Sequence, residues 1–303
     1  MDREPGFVLG REGGLRTHDG FSVPDPSWVI GKQALLGVKV TREGARTVMN
    51  PVVRRIPYQW SGVHYQDGDD QPFLLLHNSG GGFIEGDSSI LEVRTEADTR
   101  CLLTTTSATK FYKCENGGNC TDRIAVDIGP RALFEYFPDE IIPYRDSDSV
   151  RIARYDARGD SRFFISDVLT AGRIGFREGE AFLFRSMRSE MSVRIDGRLV
   201  WMDRLAAVTP QAVTDLRELW GGYPVVGTVL AYGTDLPASL DDELADACEA
   251  DDEARAAFTR LDSLICVRIL SHEVWRVHEA VQRFWALLRP ALAHKAARVI
   301  NKP

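Results

Sequence analysis

The 303-residue sequence is poor in the residues that build metal cages and redox centres. It has 5 cysteines and 6 histidines, and neither type clusters. The cysteines, Cys101, Cys114, Cys120, Cys248 and Cys266, are odd in number, and no pair is spaced as C-x-x-C. That is not a disulfide framework, and reduced thiols are expected. Cys114 and Cys120 flank Gly117-Gly118, as at a hairpin tip; a metal-binding loop there is the lesser alternative. His272 and His278 fall on different helical faces, not at the i, i+4 spacing of a zinc helix, so no closed zinc site is expected. An excess of positive charge is also missing. Basic residues number 37 against 44 acidic ones, net −7, which excludes a strongly basic nucleic-acid binder. No apolar run reaches the roughly 18 residues of a membrane span, and the first thirty residues lack the apolar core of a signal peptide. The expectation is a soluble cytoplasmic protein with neither nucleic acid nor membrane as a partner.

What is present is a series of short β patterns. A chain of this length buries about three quarters of its unfolded surface and needs no staple. Residues 1–30, rich in Gly, Pro and charge, read as a variable, poorly ordered lead-in, and 31–303 as one domain. Leu36, Val38 and Val40 alternate with polar or small neighbours. Ile90–Thr95, Cys101–Thr106, Leu133–Phe137, Val150–Tyr155, Arg162–Leu169, Val225–Tyr232 and Leu264–Leu270 read as strands, as does the alternation of Ile124, Val126 and Ile128. Asp196-Gly197 supplies a type I′ hairpin turn between Met191–Ile195 and Leu199–Leu205. Helix is expected only in the last quarter. Leu240, Leu244 and Ala247 keep helical spacing in an acidic stretch. Ser271 is placed to cap a second helix striped by Val274, Val277, Val281, Phe284, Trp285 and Leu288, which Pro290 stops or kinks. The fold class is mainly β, with many short strands and one or two C-terminal helices.

Few local motifs carry chemistry. The run Gly80-Gly81-Gly82 fits neither a P-loop nor a dinucleotide fingerprint, and a tight turn is preferred over a phosphate cradle. Ser107-Ala108-Thr109-Lys110 matches the S-x-x-K of acylating serine enzymes, but the Lys-Thr-Gly partner is absent and strand residues precede it. Asp87, Asp167 and Asp203 interrupt β segments. An acid there faces solvent or is buried with a partner, and Arg173 and Arg204 are the nearest candidates for Asp167 and Asp203.

Longer segments do resemble a family. SGGGFIEGDSSILEV, CLLTTTSATKFYK, LFEYFPDEIIPYRDS, DVLTAGRIGFREGEAF, DGRLVWMDRL and LICVRILSHEVWRVHEAVQRFWALLRP resemble, in order, segments of the urease accessory protein D family. The resemblance runs from about Gly31 to Pro290. It implies a non-enzymatic cytoplasmic chaperone with a two-layered, helically wound β fold. The implied partners are the urease apoenzyme, accessory protein F directly and accessory protein G through the complex, with a dimer of that complex a family expectation. It implies no tightly bound cofactor, only nickel in transit through an internal polar passage. By position, Asp87, Thr109, Asp167 and Asp203 match polar residues of that passage. Separate carboxylates and hydroxyls bind nickel more weakly than a thiolate–imidazole cage, which suits transfer. A serine hydrolase using Ser107 and Lys110, and a β-rich binding module without metal function, are the competing readings.

Overall fold

The chain is described from a computed structural model that covers residues 8–9, 15–17, 19–23 and 33–300. Most of the expected lead-in lies outside the described residues. Its described part folds back on the body: Phe21 is buried, and Arg16 and Ser22 bond the carboxylate of Glu92.

From Ser88 the chain alternates between two stacked sheets. Ser88–Thr95, Cys120–Ile128, Asp148–Ala157 and Ser186–Ile195 lie parallel in the first sheet. Phe73–Asn78, Arg100–Thr105, Leu133–Phe137 and Arg162–Thr170 lie parallel in the second. Each turn of the winding adds one strand to each layer. Short corners at 96–99, 129–132 and 158–161 carry the chain across. Gly129 shows why the second corner needs glycine: a Cβ would lie 2.4 Å from the carbonyl oxygen of Thr95.

Antiparallel strands finish each sheet. Gln33–Glu43 pairs with Arg46–Arg55 at one edge of the first sheet. Arg198–Ala207 closes the other edge through the expected hairpin, with Asp196 and Gly197 at positive φ. Val225–Tyr232, Leu264–Ser271 and Ala254–Leu261 extend the second sheet. Cys114 and Cys120 do not flank a hairpin tip. The strand starting at Cys120 pairs in parallel with Ser88–Thr95 and Asp148–Ala157, while Thr109–Phe111 pairs in parallel with Ile141–Pro143.

One apolar core fills the space between the sheets, and a second lies between the outer sheet face and two helices. These are α2, Leu240–Glu249, and α3, Val274–Ala293. Val225–Tyr232 is therefore buried at every position, covered on both faces as a parallel core strand would be. The stripe Val277, Val281, Phe284, Trp285 and Leu288 faces this sheet, each side chain contributing about 1.5–3 kcal/mol of burial.

Three helix expectations change. Glu273, not Ser271, is the N-cap of α3; the Ser271 hydroxyl, two residues earlier, accepts from the Glu273 N–H. Pro290 does not end α3, which runs three residues beyond it to a left-handed His294. A further helix, α1 at Pro210–Leu219, lies before the last quarter. Its signal was present: Thr209 accepts from the Ala212 N–H, and Pro210 occupies the first helical turn.

Candidate functional site

The inward face of the first sheet carries a row of polar side chains. Along Cys120–Ile128 every second residue is buried, and this set includes Asp122. Along Asp148–Ala157 the inward set is Ser149, Arg151, Ala153, Tyr155 and Ala157. Strand register aligns Ser89 with Asp122, Asp122 with Arg151, and Arg151 with Ser189. One rung across four parallel strands is thus Ser-Asp-Arg-Ser. The second sheet answers with another rung, Asp167, Thr228 and Arg268, aligned by the pairing of its antiparallel strands.

Arg151 joins the two layers. Its Nη1 donates to Asp167 Oδ2 at 2.9 Å, and Nη2 lies 2.6 Å from Oδ1. Its Nε lies 3.7 Å from Asp122 Oδ2, beyond hydrogen-bond reach, and has no acceptor. Ser89 donates its hydroxyl to Asp122. Asp122, Arg151 and Asp167 are 6%, 5% and 9% exposed. Burial raises the pKa of Asp122, although Arg151 and Ser89 oppose the rise. Burial also disfavours the charge on Arg151, but Asp167 and Asp122 outweigh it and hold the guanidinium protonated. Burial pushes the phenols of Tyr58, Tyr136 and Tyr155 up, with Asp122 adding to the shift at each, so all three stay neutral.

Cavities lie on both sides of this link. A cleft of about 670 Å³ opens between the sheets and is walled by α1. Asp167, Ser189, Asp203, Thr228 and Arg268 line it, beside the apolar Leu216 and Trp220. A second cavity of about 50 Å³ is lined by Thr109, Lys110, Asp122, Tyr58 and Tyr136. It has room for only a few waters at most, on the order of 30 Å³ or less being enough for each. Asp122 lines the smaller space, Asp167 the larger, and Arg151 sits between them.

The sequence-derived residues are therefore distributed. Asp167 and Asp203 share the large cleft, and Thr109 lines the small cavity. Asp203 pairs with Arg268 at 2.9 Å, and Arg268 also donates to the Thr228 hydroxyl. Neither Arg204 nor Arg173 is the partner expected for these acids: Arg204 pairs with Glu190 and Arg173 with Glu180. Asp87 lines neither cavity; it is buried at a turn, where its carboxylate accepts from the Ile84 N–H. Asp122 and Arg151 were missed. Asp122 was detectable, being in phase with Ile124, Val126 and Ile128. Arg151 was not, because the apolar Val150 and Ile152 beside it occupy the opposite, more exposed face. Among the described residues no three His, Cys, Asp or Glu side chains form a metal-holding group, and no helix is long and apolar enough to cross a membrane.

Comparison with known proteins decides the family. The model of the UreD urease accessory protein family matches residues 32–301. The chain belongs to the UreD urease accessory protein family. It is 30% identical to the urease accessory protein UreD of Azoarcus over 275 residues, 90% of this chain and 92% of the relative. Identity to UreD of Pseudomonas fluorescens is 28% over 276 residues, covering 90% and 94%. A Bacillus UreD is 29% identical over 228 residues, covering 75% and 83%. UreD relatives are accessory proteins and not enzymes. Consistent with that, Ser107 of this UreD-family chain lies in a connection between two strands, not at the helix start that an acylating serine requires.

Proposed function

We propose that this chain is a chaperone of urease activation that conducts nickel ions through its interior to the apoenzyme. The observation that carries the reading is the pair of polar rungs facing each other inside a β sandwich, with a cavity on either side of their contact. Interiors of such sandwiches are ordinarily apolar, and buried charge is costly unless it is paired. Oxygen ligands presented singly, from Asp167, Asp203, Thr109 and Asp122, suit a cation that must bind and leave. Asp87, set apart from both cavities, belongs to this proposal by family position alone. The proposed partners are the urease apoenzyme and accessory protein F, with accessory protein G reached through F, in the cytoplasm and within a dimeric accessory complex.

The test is co-expression with the urease operon, reading the nickel content and activity of urease. Asp167→Ala and Thr109→Val are expected to lower both while pull-down of the accessory complex is unchanged. Unaltered nickel loading in both single variants, in Asp87→Ala and in the triple variant would overturn the passage. A chain that fails to pull down urease or accessory protein F would overturn the chaperone role itself.

A further inference from the structure

The link between the two cavities has a defect that the passage reading does not explain. Arg151 donates Nη1 to Asp167 Oδ2 and lies close to Oδ1 through Nη2, yet Asp167 Oδ1 and Arg151 Nε are both left without a hydrogen-bond partner, and the guanidinium approaches Asp122 only to 3.7 Å. Its side chain is 6% exposed, so water does not supply the missing bond in bulk. Buried polar groups are ordinarily hydrogen-bonded, and an unpartnered one calls for an explanation. The charge count is also uneven. Two carboxylates enclose one guanidinium, whereas a divalent cation between them would leave the group neutral. The ligands suit such an ion: carboxylate oxygens from both sheets, with the Ser89 hydroxyl beside one of them.

We infer that Arg151 is a built-in counter-cation occupying a latent divalent-metal position between Asp122 and Asp167, and that it closes the route between the two cavities until an arriving ion displaces it. This rests on the passage reading and adds its control point. The large cleft, lined by Asp167 and the Asp203–Arg268 pair, is where the guanidinium has room to swing. The 50 Å³ cavity on the Asp122 side does not. The gate is therefore one-sided. An ion that has replaced the guanidinium at Asp167 is handed towards Asp122, and the returning guanidinium displaces it from behind.

The experiment uses the purified, untagged full chain and Ni²⁺ alone, with equilibrium dialysis and metal analysis. Arg151→Gln is expected to bind about one more Ni²⁺ per chain than the unaltered protein, because both carboxylates lose their internal cation. Adding Asp122→Asn and Asp167→Asn to that variant is expected to return binding to the original level. An Arg151→Gln chain with native circular dichroism and no gain of Ni²⁺ overturns the inference, as does a gain that survives both Asn substitutions. Should Arg151→Gln not fold, Arg151→Lys carries the test. Its single-point ammonium is displaced more easily than the fork, so Ni²⁺ occupancy should rise at least about threefold and fall again with Asp167→Asn. Equal occupancy overturns the inference. No urease is present in these measurements, so they can fail while the co-expression test succeeds, and the reverse.

Discussion

Among the described residues two arginines are buried, Arg289 and Arg151, and each faces two acids. Arg289 sits on α3 against the outer face of the second sheet. Its Nε donates to Glu135 at 3.2 Å, Nη1 to the Ala296 carbonyl at 2.5 Å, and Nη2 to Asp67 at 2.6 Å and Gln71 at 3.1 Å. Glu135, fully buried, also accepts from Trp285 Nε1 at 2.6 Å and from Gln71. That arrangement ties α3, its following segment, a strand and a loop into one unit. Arg151 spans a similar gap with an unused nitrogen, between two acids that line separate cavities. The same side chain thus serves as a fastening where its fork is filled, and leaves scope for exchange where it is not.

The contrast can be broken by stability measurements. Arg289→Leu leaves the fully buried Glu135 without its counter-charge and should cost about 3–5 kcal/mol in urea unfolding. A loss below about 1 kcal/mol would remove the distinction from the fastening side. Arg151→Gln should cost less, about 1–3 kcal/mol, because water from the cavities can reach both acids. Equal losses for the two variants would show that Arg151 is an ordinary structural pair.

Titration sharpens the comparison further. Burial raises the Asp122 pKa above its ordinary 3.8, so the folded chain keeps this proton at a pH where the unfolded chain has lost it. The stability tied to Asp122 is complete below that value and is lost as pH rises through the folded pKa. Asp122→Asn should therefore gain on the unaltered chain as pH rises above the ordinary carboxylate value into the range where the folded chain gives up this proton, read as diverging melting temperatures. A constant gap across that range would mean that Asp122 is not perturbed by its site. The smallest effect belongs to the cleft mouth. Asp203 and Arg268 are each 40% exposed in their pair, so Asp203→Asn should change stability by less than about 1 kcal/mol, and less still in high salt.

How far the sequence revealed this depends on which face a strand shows. Strands with one apolar face, such as Cys120–Ile128, declared their inward side, and the Asp-Gly hairpin declared its turn. Asp148–Ala157 did the opposite. Its inward residues are small, charged or aromatic, its apolar Val150 and Ile152 point outward, and its alternation indicates the wrong side. Asp167 and Asp203 were recognisable as acids out of place, but their partners lie on other strands, and no local spacing encodes a register between residues 16 or 65 positions apart. The helices were readable where a stripe or acidic run marked them. In α1 the capping pair Thr209-Pro210 was the only strong signal, and it was overlooked because the segment is short and weakly apolar.

The winding also has a consequence for how the chain reaches this state. From Cys120 on, each parallel strand of the first sheet pairs with one laid down a single circuit earlier, as Thr121 with Ser88 and Val150 with Thr121. Order can thus propagate circuit by circuit from a nucleus, each step closing a loop of moderate length. On such a route the polar rung would gain Ser89 first, then Asp122, then Arg151, and would be bridged to the opposite layer only with Asp167. The acids would then stay hydrated while their strands dock, with the costly desolvation deferred to the step that supplies the opposing charge.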